Sequence, residues 1–125
     1  MLVLKDNTVK YEGLSHEMYF ALGVAAELKA RLFGLNLVVT SLLDGVHNPG
    51  SLHPLGQAAD IRVRDLKDTE AVSLFEAIKA QLGLVGFDVV WEGGLGATPA
   101  TTGAHIHIEF QPRERKFWHT IGEWQ

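Results

Sequence analysis

Cysteine is absent from the 125 residues. That excludes disulfide scaffolds, thiolate zinc knuckles, iron–sulfur clusters and cysteine nucleophiles. Any metal would have to be held by His, Asp or Glu. No run approaches the ~18 apolar residues of a membrane span. The first residues, MLVLKDNTVK, lack the basic start and long apolar core of a secretory leader. The expectation is a soluble chain made in the cytoplasm, with later release left open. Basic excess is missing too. There are 11 Lys+Arg against 15 Asp+Glu, a net charge of −4 and a pI near 5.8. A nucleic-acid module working through a broad basic face is therefore disfavoured. Internal repeats and low-complexity segments are also lacking. What remains is ordinary globular usage, 46% hydrophobic and 21% charged, in a length that suits one domain over 1–125 with one sizeable core.

The pattern predicts a mixture of helices and strands. Residues 1–11 read as a short strand, a turn around Asp6-Asn7 and a second extended piece to Tyr11. Ser15 is a good N-cap, and Glu17 complements the helix dipole. Met18, Ala21, Leu22, Ala25, Leu28 and Leu32 then follow helical spacing up to a stop at Gly34. Leu35 to Thr40 reads as a buried strand. Ser41 to Gly56 is a long Gly/Pro/Asn/Asp/His-rich stretch, of a length that is often functional. Ala58 to Val63 is a second strand of this region. A helix capped by Asp68 or Thr69 runs to Leu82, with Ala71, Leu74, Phe75, Ile78 and Leu82 on one side. Phe87 to Trp91 and Ala104 to Phe110 are further strands around a glycine-rich loop, Gly93–Gly103. The last fifteen residues, with Trp118 and Trp124, read as a short closing helix. Without regular βαβα alternation, the fold class is α+β.

Six histidines are present. His16 and His119 read as surface groups, and the run Arg113-Glu114-Arg115-Lys116 as a solvated face. Trp91 and Trp118 read as core. His105 and His107 are two apart on a predicted strand, so they share a face with Glu109, and residues two apart lie roughly 6.6–7 Å from each other along the chain. Ala104, Ile106 and Ile108 point the other way, into the core. Three titratable groups on one face require water, partners or a metal. On the strand Ala58–Val63, Ala58, Asp60 and Arg62 share one face and Ala59, Ile61 and Val63 the other. An Asp among such neighbours is rarely buried without a partner. Two His and one Asp suit an open zinc site with water in the fourth position. Iron, manganese, cobalt and nickel take the same donors.

The stretch Ser51-Leu52-His53-Pro54-Leu55-Gly56-Gln57-Ala58-Ala59-Asp60 resembles the S-x-H-x-x-G-x-A-x-D motif of zinc peptidases of the D-Ala-D-Ala carboxypeptidase and hedgehog type. His105-Ile106-His107 resembles their H-x-H strand. The likeness runs from about Val38 to Ile108, and two ordered motifs with correct internal spacing are far more specific than either alone. It implies an antiparallel sheet flanked by helices, with Zn2+ held by His53, Asp60 and His107. His105 would stand beside the metal. His47, six positions before His53, falls where hedgehog-type domains place a site histidine. Glu92, after the strand FDVVW, falls where they carry a glutamate next to the zinc water. The implied activity is amide hydrolysis in peptidoglycan stem or cross-bridge peptides. Glu92 would move the proton, His105 and His47 would support the tetrahedral oxyanion, and Ser51 would orient substrate. A monomer is expected, and a phage or prophage wall-degrading enzyme released at lysis would suit such a chain.

Two departures bear on this resemblance. Twelve residues, Gly93 to Ala104, separate Glu92 from His105, more than in those families. Loop length costs little, but the gap leaves Glu109 as a competing base. The loop after Thr40-Ser41 continues Leu42-Leu43-Asp44, without the arginine that such carboxypeptidases often carry. Without a cation there to meet a free substrate carboxylate, an endopeptidase is favoured over a carboxypeptidase, although Arg62 or Arg64 could substitute. The rival class is a non-catalytic zinc-containing binding module of hedgehog-like fold, such as a phage structural component. A carboxylate within one water of the metal would separate catalysis from binding. A non-haem iron oxygenase is opposed by the two long helical patterns.

Overall fold

The computed structural model describes residues 1–42, 56–92 and 104–110. Among them the order is β1 (Leu2–Leu4), α1 (His16–Phe33), β2 (Leu37–Ser41), β3 (Ala58–Arg62), α2 (Asp68–Leu82), a 3-10 turn (Gly83–Val85), β4 (Phe87–Glu92) and β5 (His105–Phe110). This is a small α+β arrangement of one five-stranded sheet and two helices. Neither helix is long and apolar enough to cross a membrane. The expected closing helix with Trp118 and Trp124 lies outside the described residues.

α1 begins where Ser15 turns extended backbone into helix. The Ser15 hydroxyl accepts the Met18 N–H at 3.2 Å, a cap worth about 1 kcal/mol. α1 ends at Gly34, whose φ of 68° is left-handed and whose N–H donates to the Ala30 carbonyl. A side chain there would meet its own backbone. Met18, Ala21, Leu22, Ala25 and Leu28 are buried, but Leu32 is 48% exposed, so the apolar stripe stops a turn earlier than its spacing suggests. Lys29 takes the inner position after Ala25. It is fully buried, and its ammonium lies 2.6 Å from Asp65 Oδ2.

The sheet order is β1-β2-β3-β5-β4. β2, β3, β5 and β4 pair antiparallel in turn, whereas β1 pairs parallel with β2. The expectation of an antiparallel sheet is corrected to a mixed one, antiparallel except for β1. The physical reason is the crossover. α1 lies between β1 and β2, and such a return brings the chain back in the same direction. The second extended piece expected to Tyr11 is not a strand. The Lys5 N–H pairs with Val39, and the Asp6 carboxylate then accepts the Thr8 N–H at 2.9 Å, turning the chain away. β2 starts two residues later than expected, where the Leu37 N–H meets the Met1 carbonyl. α2 is capped by Lys67, not by Asp68 or Thr69. Glu70 reaches back to accept the Lys67 N–H at 2.9 Å.

One face of the sheet is the core. Ala59 and Ile61, Ile106 and Ile108, and Phe87 and Val89 are buried there together with Met18, Leu22, Leu74 and Ile78 of the helices. Trp91 packs against this core, edge-on to Phe75 with ring centroids 6.2 Å apart. The entry to β3 is fastened to α1 through Gly56. Its φ is +73°, a Cβ there would collide with the Gly13 carbonyl, and its own carbonyl accepts the Ser15 N–H at 2.9 Å. Glycine is therefore obligatory at this turn.

Candidate metal centre

Strand alternation sends the neighbours of the core residues to the opposite face. Asp60 of β3, His105, His107 and Glu109 of β5, and Glu92 of β4 all point there. Register brings them level. Asp60 lies directly opposite His107, and Glu92 directly opposite His105. Opposed residues in an antiparallel pair have Cβ atoms about 4.5–5.5 Å apart, so the side chains from three adjacent strands can converge.

Their functional atoms meet. His107 Nδ1 lies 2.8 Å from Asp60 Oδ1, and His107 Nε2 lies 2.6 Å from Glu109 Oε1. His105 Nε2 lies 3.0 Å from Glu92 Oε1 and 3.4 Å from Asp60 Oδ1. Glu92 Oε1 is 3.7 Å from His107 Nδ1. With ionised carboxylates on both sides, each His107 nitrogen donates, which makes the ring an imidazolium. Burial alone pushes its pKa down. The hydrogen bonds with Asp60 and Glu109, with the charges of Asp60 and Glu92, outweigh that and raise it to about 9.

The surroundings of Asp60 are irregular. The β2–β3 register slips between Val39 and Ser41, and the Thr40 hydroxyl donates to the Asp60 carbonyl at 3.3 Å. Such bulges are frequent beside active sites, where they re-aim a side chain. Arg62 also belongs to this face, opposite His105. A cleft of about 430 Å3 reaches Glu92, His107 and Glu109 and continues past Asp88 and Val90 to Lys79 and Gly83.

Three of these groups could hold a metal ion. Asp60, Glu92 and His105 each offer one ligand atom, and these lie within 4.8 Å of one another. His107 Nδ1 approaches the same Asp60 oxygen. Nitrogen and carboxylate donors without thiolate suit zinc at an open site. Of the residues expected from sequence, Asp60, Glu92, His105 and His107 are thus brought together. His47, Ser51 and His53 lie outside the described residues. The grouping differs from expectation in one respect, because His105 and Glu92 stand within ligand distance of Asp60 as well as beside His107. The strand period of two puts Glu109 on this face, and the structure adds its bond to His107. The bulge at Thr40 has no signal in the sequence beyond a Thr-Ser pair.

No protein-family model matches the chain, and no curated protein matches it either.

Proposed function

We propose that the chain is a zinc-dependent metallopeptidase with a hedgehog/D-Ala-D-Ala-peptidase-like fold, cutting an amide bond in peptidoglycan stem or cross-bridge peptides. The observation that carries this reading is the meeting of Asp60, Glu92, His105 and His107 on one sheet face, with Glu92 Oε1 3.7 Å from His107 Nδ1. It is supported by the ordered motifs around His53 and His107.

His53, Asp60 and His107 would hold the ion. When bound, zinc supplies the Lewis acidity that activates water and polarises a scissile carbonyl. Glu92 accepts the proton of the attacking water on its carboxylate and delivers it to the leaving amine. Its side chain is 43% exposed, so it can meet both water and substrate. His105 donates Nε2–H to Glu92 and keeps that carboxylate aimed at the centre of the face. With His47 it also balances negative charge gathering on the carbonyl oxygen. The cleft along β4 gives an extended peptide a path to these groups. Glu92 within reach of the ligand atoms favours catalysis over a purely binding role.

The test is metal analysis of the purified protein, followed by digestion of murein. About one zinc per chain is the stoichiometry of a single site of this kind. It should disappear in His53→Ala and Asp60→Ala, and the loaded protein should release stem-peptide fragments. Failure to bind zinc when it is supplied would sink the peptidase reading. Bound zinc with intact stem peptides would move the assignment to a binding module.

A further inference from the structure

We infer that Glu109 is a positioning residue for the metal ligand His107, holding its proton on Nε2 so that the Nδ1 lone pair faces the metal. The inference rests on the zinc site proposed above. It assigns to Glu109 a task other than that of a competing base.

An imidazole can give only one nitrogen to a metal, and the partner of the other decides which. Here the two nitrogens face different surroundings. Nδ1 points to the centre, where Asp60 Oδ1 lies at 2.8 Å and Glu92 Oε1 at 3.7 Å. Nε2 points away from it, to Glu109 Oε1 at 2.6 Å. The Glu109 carboxylate thus meets the far side of the ring and is separated by the imidazole from the groups that would bind a metal and a water. That place suits an orienting carboxylate and not a group that takes a proton from water at the metal.

The spacing is built into β5. Glu109 is two residues from His107 on the same face of one strand, so the pair needs no loop to form. His107 and Glu109 side chains are only 9% and 18% exposed, so water competes weakly for Nε2–H. A carboxylate on the outer nitrogen of a metal-bound histidine fixes the tautomer and raises ligand basicity, and its loss typically costs about 10–100-fold in metal affinity.

The experiment compares zinc affinity of wild type, Glu109→Ala and Glu109→Gln by competition with a chromogenic chelator at one pH. Long-range 1H–15N NMR of the zinc-loaded wild type identifies the protonated nitrogen of His107. Glu109→Ala should bind zinc about 10–100-fold more weakly. Glu109→Gln keeps an oxygen acceptor without the charge, and should show a smaller loss in the same direction. His107 should carry its proton on Nε2. Zinc affinity unchanged in Glu109→Gln, or metal on Nε2, overturns the inference. A Glu109→Gln variant that binds zinc fully but does not turn over would restore Glu109 as the base. Wild type that takes up no zinc would refute the underlying site instead, which keeps the two failures apart.

Discussion

Glu92→Gln separates the two roles that the site geometry allows for this residue. Its Oε1 lies 3.0 Å from His105 Nε2 and 3.7 Å from His107 Nδ1, close enough to be a proton carrier or a ligand. Glutamine keeps the shape and removes the basic oxygen. If Glu92 carries the proton, turnover should fall by about 10^2–10^4, the usual contribution of a positioned acid–base group. At 25 °C that is about 3–5 kcal/mol of barrier. The fold should scarcely notice. The Glu92 side chain is 43% exposed, and exposed ion pairs contribute under about 1 kcal/mol. Zinc content should stay near that of wild type. The assay is kcat/KM on a soluble murein-derived peptide, read beside metal stoichiometry and a thermal melt. Full turnover in the variant would refute Glu92 as the base. Loss of zinc would make Glu92 a ligand, in line with its grouping with Asp60 and His105.

In the metal-free protein, His107 should titrate near 9, and NMR of its ring nitrogens reads this directly. The folded pKa is raised above the unfolded value of about 6.5, so the stabilisation is complete below that pH and disappears as pH rises through 9. The loss across that window is about 3 kcal/mol, measurable by urea unfolding. His107→Gln should flatten the dependence, and an equally steep curve in that variant would place the titrating group elsewhere. Elsewhere in the fold, Asp65→Ala strands the fully buried Lys29 ammonium. It should destabilise by up to about 3 kcal/mol, the low end for breaking a buried pair, because the Asp65 side chain is 30% exposed. Lys29→Met removes the charge and keeps the volume, so it should cost less. Denaturant titration that ranks Lys29→Met as the worse of the two would refute this account of the pair.

Local signals in the sequence carry much of the fold. Ser15 and Gly34 bracket α1, and apolar spacing places both helices, because caps and amphipathic stripes depend on residues a few positions apart. The misses have a different origin. The parallel pairing of β1 with β2 is a relation between distant segments, and no residue in Leu2–Leu4 encodes it. Lys29 is the instructive exception on α1. It follows Ala25 on the buried stripe, where a lysine contradicts the pattern, and Asp65, 36 positions later, pairs with its ammonium and makes that position tolerable. A charge on an apolar stripe is therefore a sequence signal that a distant partner exists, without saying which one.

The site was legible because its spacing rules are those of strands. A period of two puts His105, His107 and Glu109 on one face of β5 and Asp60 on the same face of β3, and those placements agree with the structure. What spacing could not give was the approach of Glu92, since twelve residues intervene before His105. Register resolves it. β4 and β5 pair antiparallel from Phe87 and Phe110 at one end to Glu92 and His105 at the other. Each strand is six residues long, so the pairing that buries Phe87, Val89, Ile106 and Ile108 also sets Glu92 against His105. A slip of one residue would turn every one of those side chains to the other face. The core, not the length of the connecting loop, thus holds Glu92 at the site.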